Sequence, residues 1–188
     1  MMSSNSFNIT IHMVSSLDGK IAKPDNSINW FESSSHYENG VEGEDESAVL
    51  NAIDCYVMGF NTYQLALDLS KEYGWAYGDK PTFVLSHKTH SSEFSNVTFY
   101  SGELKQLIDQ FLKPQFQNVW VVGGAFTANE FIGQKLVDEI RISILPILMG
   151  DGLPFFDLKN FEQALILNDA KAYKNGMVEL SYKIRKDN

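Results

Sequence analysis

With 188 residues, 44% hydrophobic and 21% charged, the chain is long and apolar enough to fold around a sizeable core, which excludes a disordered protein. Its formal charge of −9 argues against general binding to nucleic acid or anionic membranes, so a phosphate ligand would have to be held by local amides and a few cations. The single cysteine, Cys55, rules out a disulfide within the chain and a metal site built on paired cysteines.

The expectation is one domain over residues 1–188. Met1 to Asn8 is polar where a secretion signal would be apolar, and no run approaches the ~20 apolar residues of a membrane span, so the cytoplasm is the expected compartment. Phe7, Ile9, Ile11 and Met13 alternate with polar residues and predict a first strand with one apolar face, His12 pointing outward. A polar stretch from Ser15 to Gly43 follows, broken by Pro24 and carrying Trp30-Phe31; in a compact domain such a loop is functional or mobile. Ala48, Val49, Ala52 and Ile53 fall at helical spacing and predict a helix over Glu44 to Asp54. Cys55 to Met58 is a short buried strand with an inert thiol. Gly59 breaks it, and Asn61 or Thr62 would cap a helix running to about Lys71.

Strands are expected at Thr82 to Leu85 and near Val97 to Tyr100. Leu104, Leu107, Ile108, Phe111 and Leu112 make an amphipathic helix that Pro114 ends. Val119 to Val122 is apolar throughout, as a central strand covered on both faces should be, and a helix follows from Ala125 to about Ile132. Ile140, Ile142 and Ile144 alternate with Arg141 and Ser143. Ala164 to Tyr173 and Met177 to Arg185 read as a hairpin about Asn175-Gly176, with Val178, Leu180, Tyr182 and Ile184 on one face and Glu179, Ser181 and Lys183 on the other. The predicted class is α/β, with a mixed sheet that is mainly parallel and ends in an antiparallel hairpin.

Three strand ends share a character. Met58-Gly59-Phe60-Asn61-Thr62, Leu85-Ser86-His87-Lys88 and Val122-Gly123-Gly124-Ala125-Phe126-Thr127 each follow a buried strand. In parallel sheets these carboxyl ends lie along one edge, where α/β proteins bind ligands. Glycine at a strand-to-helix junction permits close backbone approach, and the free amides of the helix suit a phosphate. On its own, the double glycine fits a tight turn equally well. Neither G-x-G-x-x-G nor G-x-x-x-x-G-K-[ST] occurs.

Ser15-Ser16-Leu17-Asp18-Gly19-Lys20-Ile21-Ala22, Met58-Gly59-x-x-Thr62-Tyr63, Val121-Val122-Gly123-Gly124-Ala125 and Pro146-x-Leu148-Met149-Gly150-Asp151-Gly152-x-Pro154-Phe155-Phe156 occur in that order. The set resembles the dihydrofolate-reductase-like superfamily, closest to the riboflavin-biosynthesis reductase (RibD C-terminal) family and its stand-alone members. The resemblance implies a three-layer fold on an eight-stranded sheet, a homodimer, and an NADPH-dependent reductase of a small heteroaromatic or imine-like substrate of pterin, folate or riboflavin-precursor type. It implies hydride transfer to a CH-NH or CH-OH type group, as in 5-amino-6-(5-phosphoribosylamino)uracil reduction. NADPH is preferred to NADH, although relatives commonly place a basic residue where this chain has Phe60.

By the same resemblance Gly59, Phe60, Asn61 and Thr62 face Gly123, Gly124, Ala125, Phe126 and Thr127 across the pyrophosphate. Ser86 and His87 receive the adenosine end, and Ile21 and Ala22 lie against the nicotinamide. Trp30 and Ser143 line the substrate pocket. Asp18 acts on substrate or closes an ordinary Asp-Gly turn, and Glu32 is a proton donor or a solvated surface group. His36 and His90 read as polar loop residues. A catalytically inactive nucleotide-binding or regulatory protein is the alternative function.

Overall fold

The computed structural model describes residues 7–31, 36–43, 50–88 and 90–186. In chain order the elements are β1 (Asn8–Ser16), β2 (Lys20–Ala22), β3 (Cys55–Gly59), α1 (Phe60–Tyr73), β4 (Thr82–Leu85), β5 (Val97–Tyr100) and α2 (Leu104–Leu107, continued by a wider π-type turn, Ile108–Leu112). Then come β6 (Asn118–Gly123), α3 (Ala125–Gly133), β7 (Glu139–Leu145), β8 (Leu153–Pro154), β9 (Leu165–Ala172) and β10 (Val178–Ile184).

Eight strands form one mixed sheet in the order β5-β4-β3-β6-β1-β7-β10-β9, parallel from β5 to β7 and antiparallel at β10 and β9. From β3 the chain steps outward to β4 and β5, then returns to insert β6 between β3 and β1 before crossing to β7. The direction of winding therefore reverses at β3, β6 and β1. Right-handed crossovers that run in opposite directions must lie on opposite faces of a sheet. α1 and α3 obey this: Tyr63 of α1 packs with Tyr56, Met58 and Val84 on one face. On the other, Ala128, Phe131 and Ile132 of α3 join Leu104, Leu107 and Leu112 of α2 against Ile9, Ile11, Val119, Val121 and Ile140. Burying each large apolar side chain of this kind contributes about 1.5–3 kcal/mol. Cys55 is fully buried in the larger core, which pushes its thiol up to about 12.

The alternation in β1 and the apolar run of β6 place their strands as expected. Other expectations are corrected. α1 starts at Phe60, one or two residues before the expected cap, because Gly59 is still paired to Leu85 in the sheet and serves as the cap with no side-chain bond. A second sheet, β2 with β8, joins Ala22 to Leu153; with three and two residues its strands are too short to register as a pattern. Of the helix expected over Glu44 to Asp54, residues 44–49 lie outside those described, while Leu50 and Asn51 are helical. Lys80 Nζ donates to the carbonyl oxygens of Leu50 at 2.6 Å and Asn51 at 3.3 Å, and also to that of Ile53, satisfying that helical end. In β10 the polar face is the more deeply covered: Glu179 and Ser181 are buried while Val178 is 38% exposed. Among the described residues no helix is long and apolar enough to cross a membrane.

Candidate active site

The reversal of winding opens a crevice between the carboxyl ends of β3 and β6, where Met58 pairs with Gly123. Both helices that leave it begin directly on glycine. Gly59 caps α1 and Gly124 caps α3; neither helix has a side-chain cap or an acidic residue in its first turn. Their opening amides are thus left for another acceptor, with no carboxylate to repel an anion. The turns are also locked together sterically. A Cβ on Gly59 would lie 2.6 Å from Thr127 Oγ1 of α3, and one on Gly124 would lie 3.4 Å from Thr62 Oγ1 of α1. Gly123 has φ +112°, a conformation reserved for glycine, and a Cβ there would reach Met13 Cε at 3.1 Å. The Gly123-Gly124 peptide is cis.

The structure therefore brings Gly59, Phe60, Asn61 and Thr62 against Gly123, Gly124, Ala125 and Thr127. Asn61 is exposed and Thr127 buried, while Phe126 is 79% exposed. A hollow of about 560 Å³ runs beside this turn of α3, lined by Ala125, Phe126, Asn129, Leu153 and Pro154.

Ile21 and Ala22 are buried on β2, and Gly152 sits so close to the Ala22 carbonyl that a Cβ would come within 2.3 Å of it. Asp18 holds this arrangement. Its Oδ1 accepts from Ser16 Oγ at 2.6 Å and Met149 N at 3.0 Å, and its Oδ2 accepts from Gly150 N at 2.8 Å. The Ser16 hydroxyl, then the Met149 and Gly150 amides, hold its carboxyl at about 2. Both carboxylate oxygens are thereby engaged within the chain, as the Asp-Gly turn role requires. Glu32 lies outside the described residues. Trp30 is 5% exposed, and its indole Nε1 has no hydrogen-bond partner among the described residues.

Ser86 stands at the carboxyl end of β4, its amide bonded to Tyr100 O. Its Oγ accepts from Lys88 N at 3.2 Å and meets His90 Nε2 at 2.9 Å. His90, read from sequence as a plain loop residue, stacks on Phe60 with ring centroids 4.0 Å apart and planes at 18°. Thus the position that lacks a basic residue carries an imidazole folded over it, while His87 is exposed nearby. No local spacing announces a contact between residues thirty apart.

His12 is also corrected: it is tied in, not simply outward. It stacks on Trp120 at 5.3 Å, and its Nε2 lies 3.0 Å from Ser143 Oγ and 3.4 Å from Glu179 Oε2. Glu179 Oε1 in turn accepts from Arg141 Nη2 at 2.6 Å. Serine and glutamate meet the same imidazole nitrogen, so this is not a nucleophile–base–acid relay, which needs opposite ring nitrogens.

A mainly parallel eight-stranded sheet with a glycine-walled crevice where its winding reverses defines an α/β protein of the riboflavin-biosynthesis reductase-like fold. Residues 62–179 match the RibD C-terminal domain, and the chain belongs to that family. The putative riboflavin biosynthesis protein from Shewanella sp. PV-4 superimposes with a TM-score of 0.82 at 26% identity, over 96% of this chain and 100% of that one. A pyrimidine reductase-like protein from Corynebacterium diphtheriae matches in fold, with a TM-score of 0.67 at 14% identity over 97% of this chain and 94% of that one. In sequence the chain is 29% identical to the uncharacterized protein YwjB of Bacillus subtilis over 175 residues, 92% of this chain and 95% of YwjB.

Proposed function

We propose that the protein is an NADPH-dependent reductase of a small heteroaromatic or imine-like substrate. The observation that carries this reading is the pair of uncapped helix starts at Gly59 and Gly124, facing each other across one crevice with their threonines interleaved. The residues fit a dinucleotide. Amides of the two first turns would hold its pyrophosphate, with glycine leaving room and no acid opposing it. Ser86, His87 and the His90–Phe60 stack would take the adenosine end, and Ile21 and Ala22 would keep water from the reacting ring. When bound, the cofactor supplies a hydride for an electron-poor carbon of the substrate. The relatives named for riboflavin biosynthesis and pyrimidine reduction support a substrate of that chemistry.

Thermal unfolding with NADPH, with NADH and with neither tests this. A nucleotide at 100 times its dissociation constant stabilises by ~2.7 kcal/mol, roughly 5–11 °C for a chain of this size. No shift with either nucleotide sinks the reading. A second reading, nucleotide binding without catalysis, is favoured by the engagement of both Asp18 oxygens with other groups of the chain. Oxidation of NADPH with any pterin or pyrimidine substrate excludes it.

We also propose that the protein works as a cytoplasmic homodimer. The edge strand β9 leaves Leu165, Ile166 and Leu167 at 42%, 54% and 57% exposure, an apolar edge that a second copy would cover.

A further inference from the structure

The carboxyl edge of the sheet offers an anion two different kinds of partner. Behind β3 and β6 the chain enters α1 and α3 at once, so helix amides stand ready there. Behind β4 it does not. Among the described residues Ser86 to Asn96 carry no helix, and the strand is followed by a run of polar side chains, Ser86, His87, Lys88 and His90. β4 pairs with β3 on the side away from β6, with Leu85 opposite Gly59. At ~4.8 Å per strand its end stands roughly 5–10 Å from the two glycine turns. That leaves room for one ribose between a pyrophosphate held by the turns and an anion held behind β4.

The charges behind β4 are unbalanced. His87, Lys88 and His90 form no ion pair among the described residues, in a chain whose formal charge is −9. They stand beside the amino end of α1, which has no acidic residue in its first turn, so basic groups there oppose the helix dipole. An anion among them removes that conflict. His87 and Lys88 are exposed, whereas His90 is held. Its ring stacks on Phe60, the first residue of α1, and lies tilted against Phe99 at 5.1 Å. Its Nε2 meets Ser86 Oγ at 2.9 Å, and that oxygen accepts from Lys88 N at 3.2 Å. Nδ1 has no hydrogen-bond partner among the described residues. A serine hydroxyl donates to Nε2 or accepts from it as needed, so an anion arriving at Nδ1 selects the form of the ring with a proton there.

We infer that His90 is the residue that distinguishes NADPH from NADH, its Nδ1 donating to the adenosine ribose phosphate that only NADPH carries. Phe60 is a positioning residue, whose ring holds the imidazole beside the start of α1. The inference rests on the reductase reading for the dinucleotide and adds the group that chooses between the two cofactors. Dissociation constants for NADPH and NADH are measured by titration calorimetry on wild type, His90→Gln, His90→Asn, Phe60→Leu and Lys88→Gln. Thermal unfolding of each protein without nucleotide accompanies them.

Wild type binds NADPH more tightly than NADH. Glutamine keeps a polar atom near the place of Nε2 for Ser86 but has none at Nδ1. His90→Gln therefore weakens NADPH roughly 10- to 100-fold, as loss of a hydrogen bond to a charged group does, and leaves NADH unchanged. His90→Asn, whose amide nitrogen falls near the place of Nδ1, retains part of the preference. Phe60→Leu keeps an apolar side chain, loses the stack, and lowers the ratio of the two affinities in the same direction. Equal weakening of both nucleotides by His90→Gln marks a merely structural ring and overturns the inference. A ratio that falls with Lys88→Gln and not with His90→Gln overturns it too. Equal affinity of wild type for the two nucleotides overturns the inference and leaves the reductase reading standing. A folded wild type that binds neither nucleotide sinks both.

Discussion

Gly59→Ala tests whether the two glycine turns form one steric unit. Gly59 has φ −76° and ψ 159°, which alanine adopts freely, so a less flexible unfolded chain contributes about 0.4–1 kcal/mol in favour of the variant. Against this stands Thr127 Oγ1, 2.6 Å from the new Cβ, roughly 1 Å inside ordinary contact. Thr127 is buried on α3 and β-branched, so its χ1 is stiff and the helix has to move with it. Overpacking of that kind costs about 1–3 kcal/mol. The net loss is therefore about 0–2.6 kcal/mol, with a middle value near 1.3 kcal/mol or ~3–5 °C in Tm. In a Thr127→Ala background the obstructing hydroxyl is gone, and Gly59→Ala becomes neutral or stabilising by up to ~1 kcal/mol. Urea unfolding of the four proteins measures the coupling, expected at about 1–3 kcal/mol. If Gly59→Ala costs the same with and without Thr127, the turns are not in contact and the two helix starts do not wall one crevice.

Asp18 is depressed from 3.8 to about 2 in the folded protein, so its contribution to stability is complete above pH 3.8 and is lost as pH falls toward 2. Urea midpoints between pH 5 and 2 should show wild type losing more than Asp18→Asn over that window; parallel curves refute the clasp. The Cys55 thiol, buried and pushed up to about 12, should react with a disulfide reagent only as fast as the protein opens. Labelling of native protein at the rate of a free thiol would contradict its place in the core. Ile166→Glu on the β9 edge should shift light-scattering mass from dimer to monomer without lowering NADPH affinity, and a wild-type monomer at micromolar concentration would dismiss the homodimer.

The crevice was legible because its key property is an absence that the sequence states outright. Gly59, Gly123 and Gly124 have no Cβ, and each follows an apolar run that only a strand explains. Their mutual approach followed only from the family resemblance, since Thr127 and Thr62 meet glycines more than sixty residues away and leave no local signature. The stack of His90 on Phe60 was hidden for the same reason. Asp18 read equally as a residue acting on substrate and as a turn residue, because Asp-Gly encodes the turn but not the Met149 and Gly150 amides that bind the carboxylate.

The last strand carries the sharper lesson. A period of two reveals which residues share a face, and Val178, Leu180, Tyr182 and Ile184 do share one. It does not reveal which face is covered, because the rule that the apolar face turns inward assumes that only one face is covered. Here both are, to different extents: β10 packs Ile184 against the main core, yet buries Glu179 and Ser181 on the other side. A sequence spends charge in a covered position at a cost in desolvation, which apolar side chains would avoid.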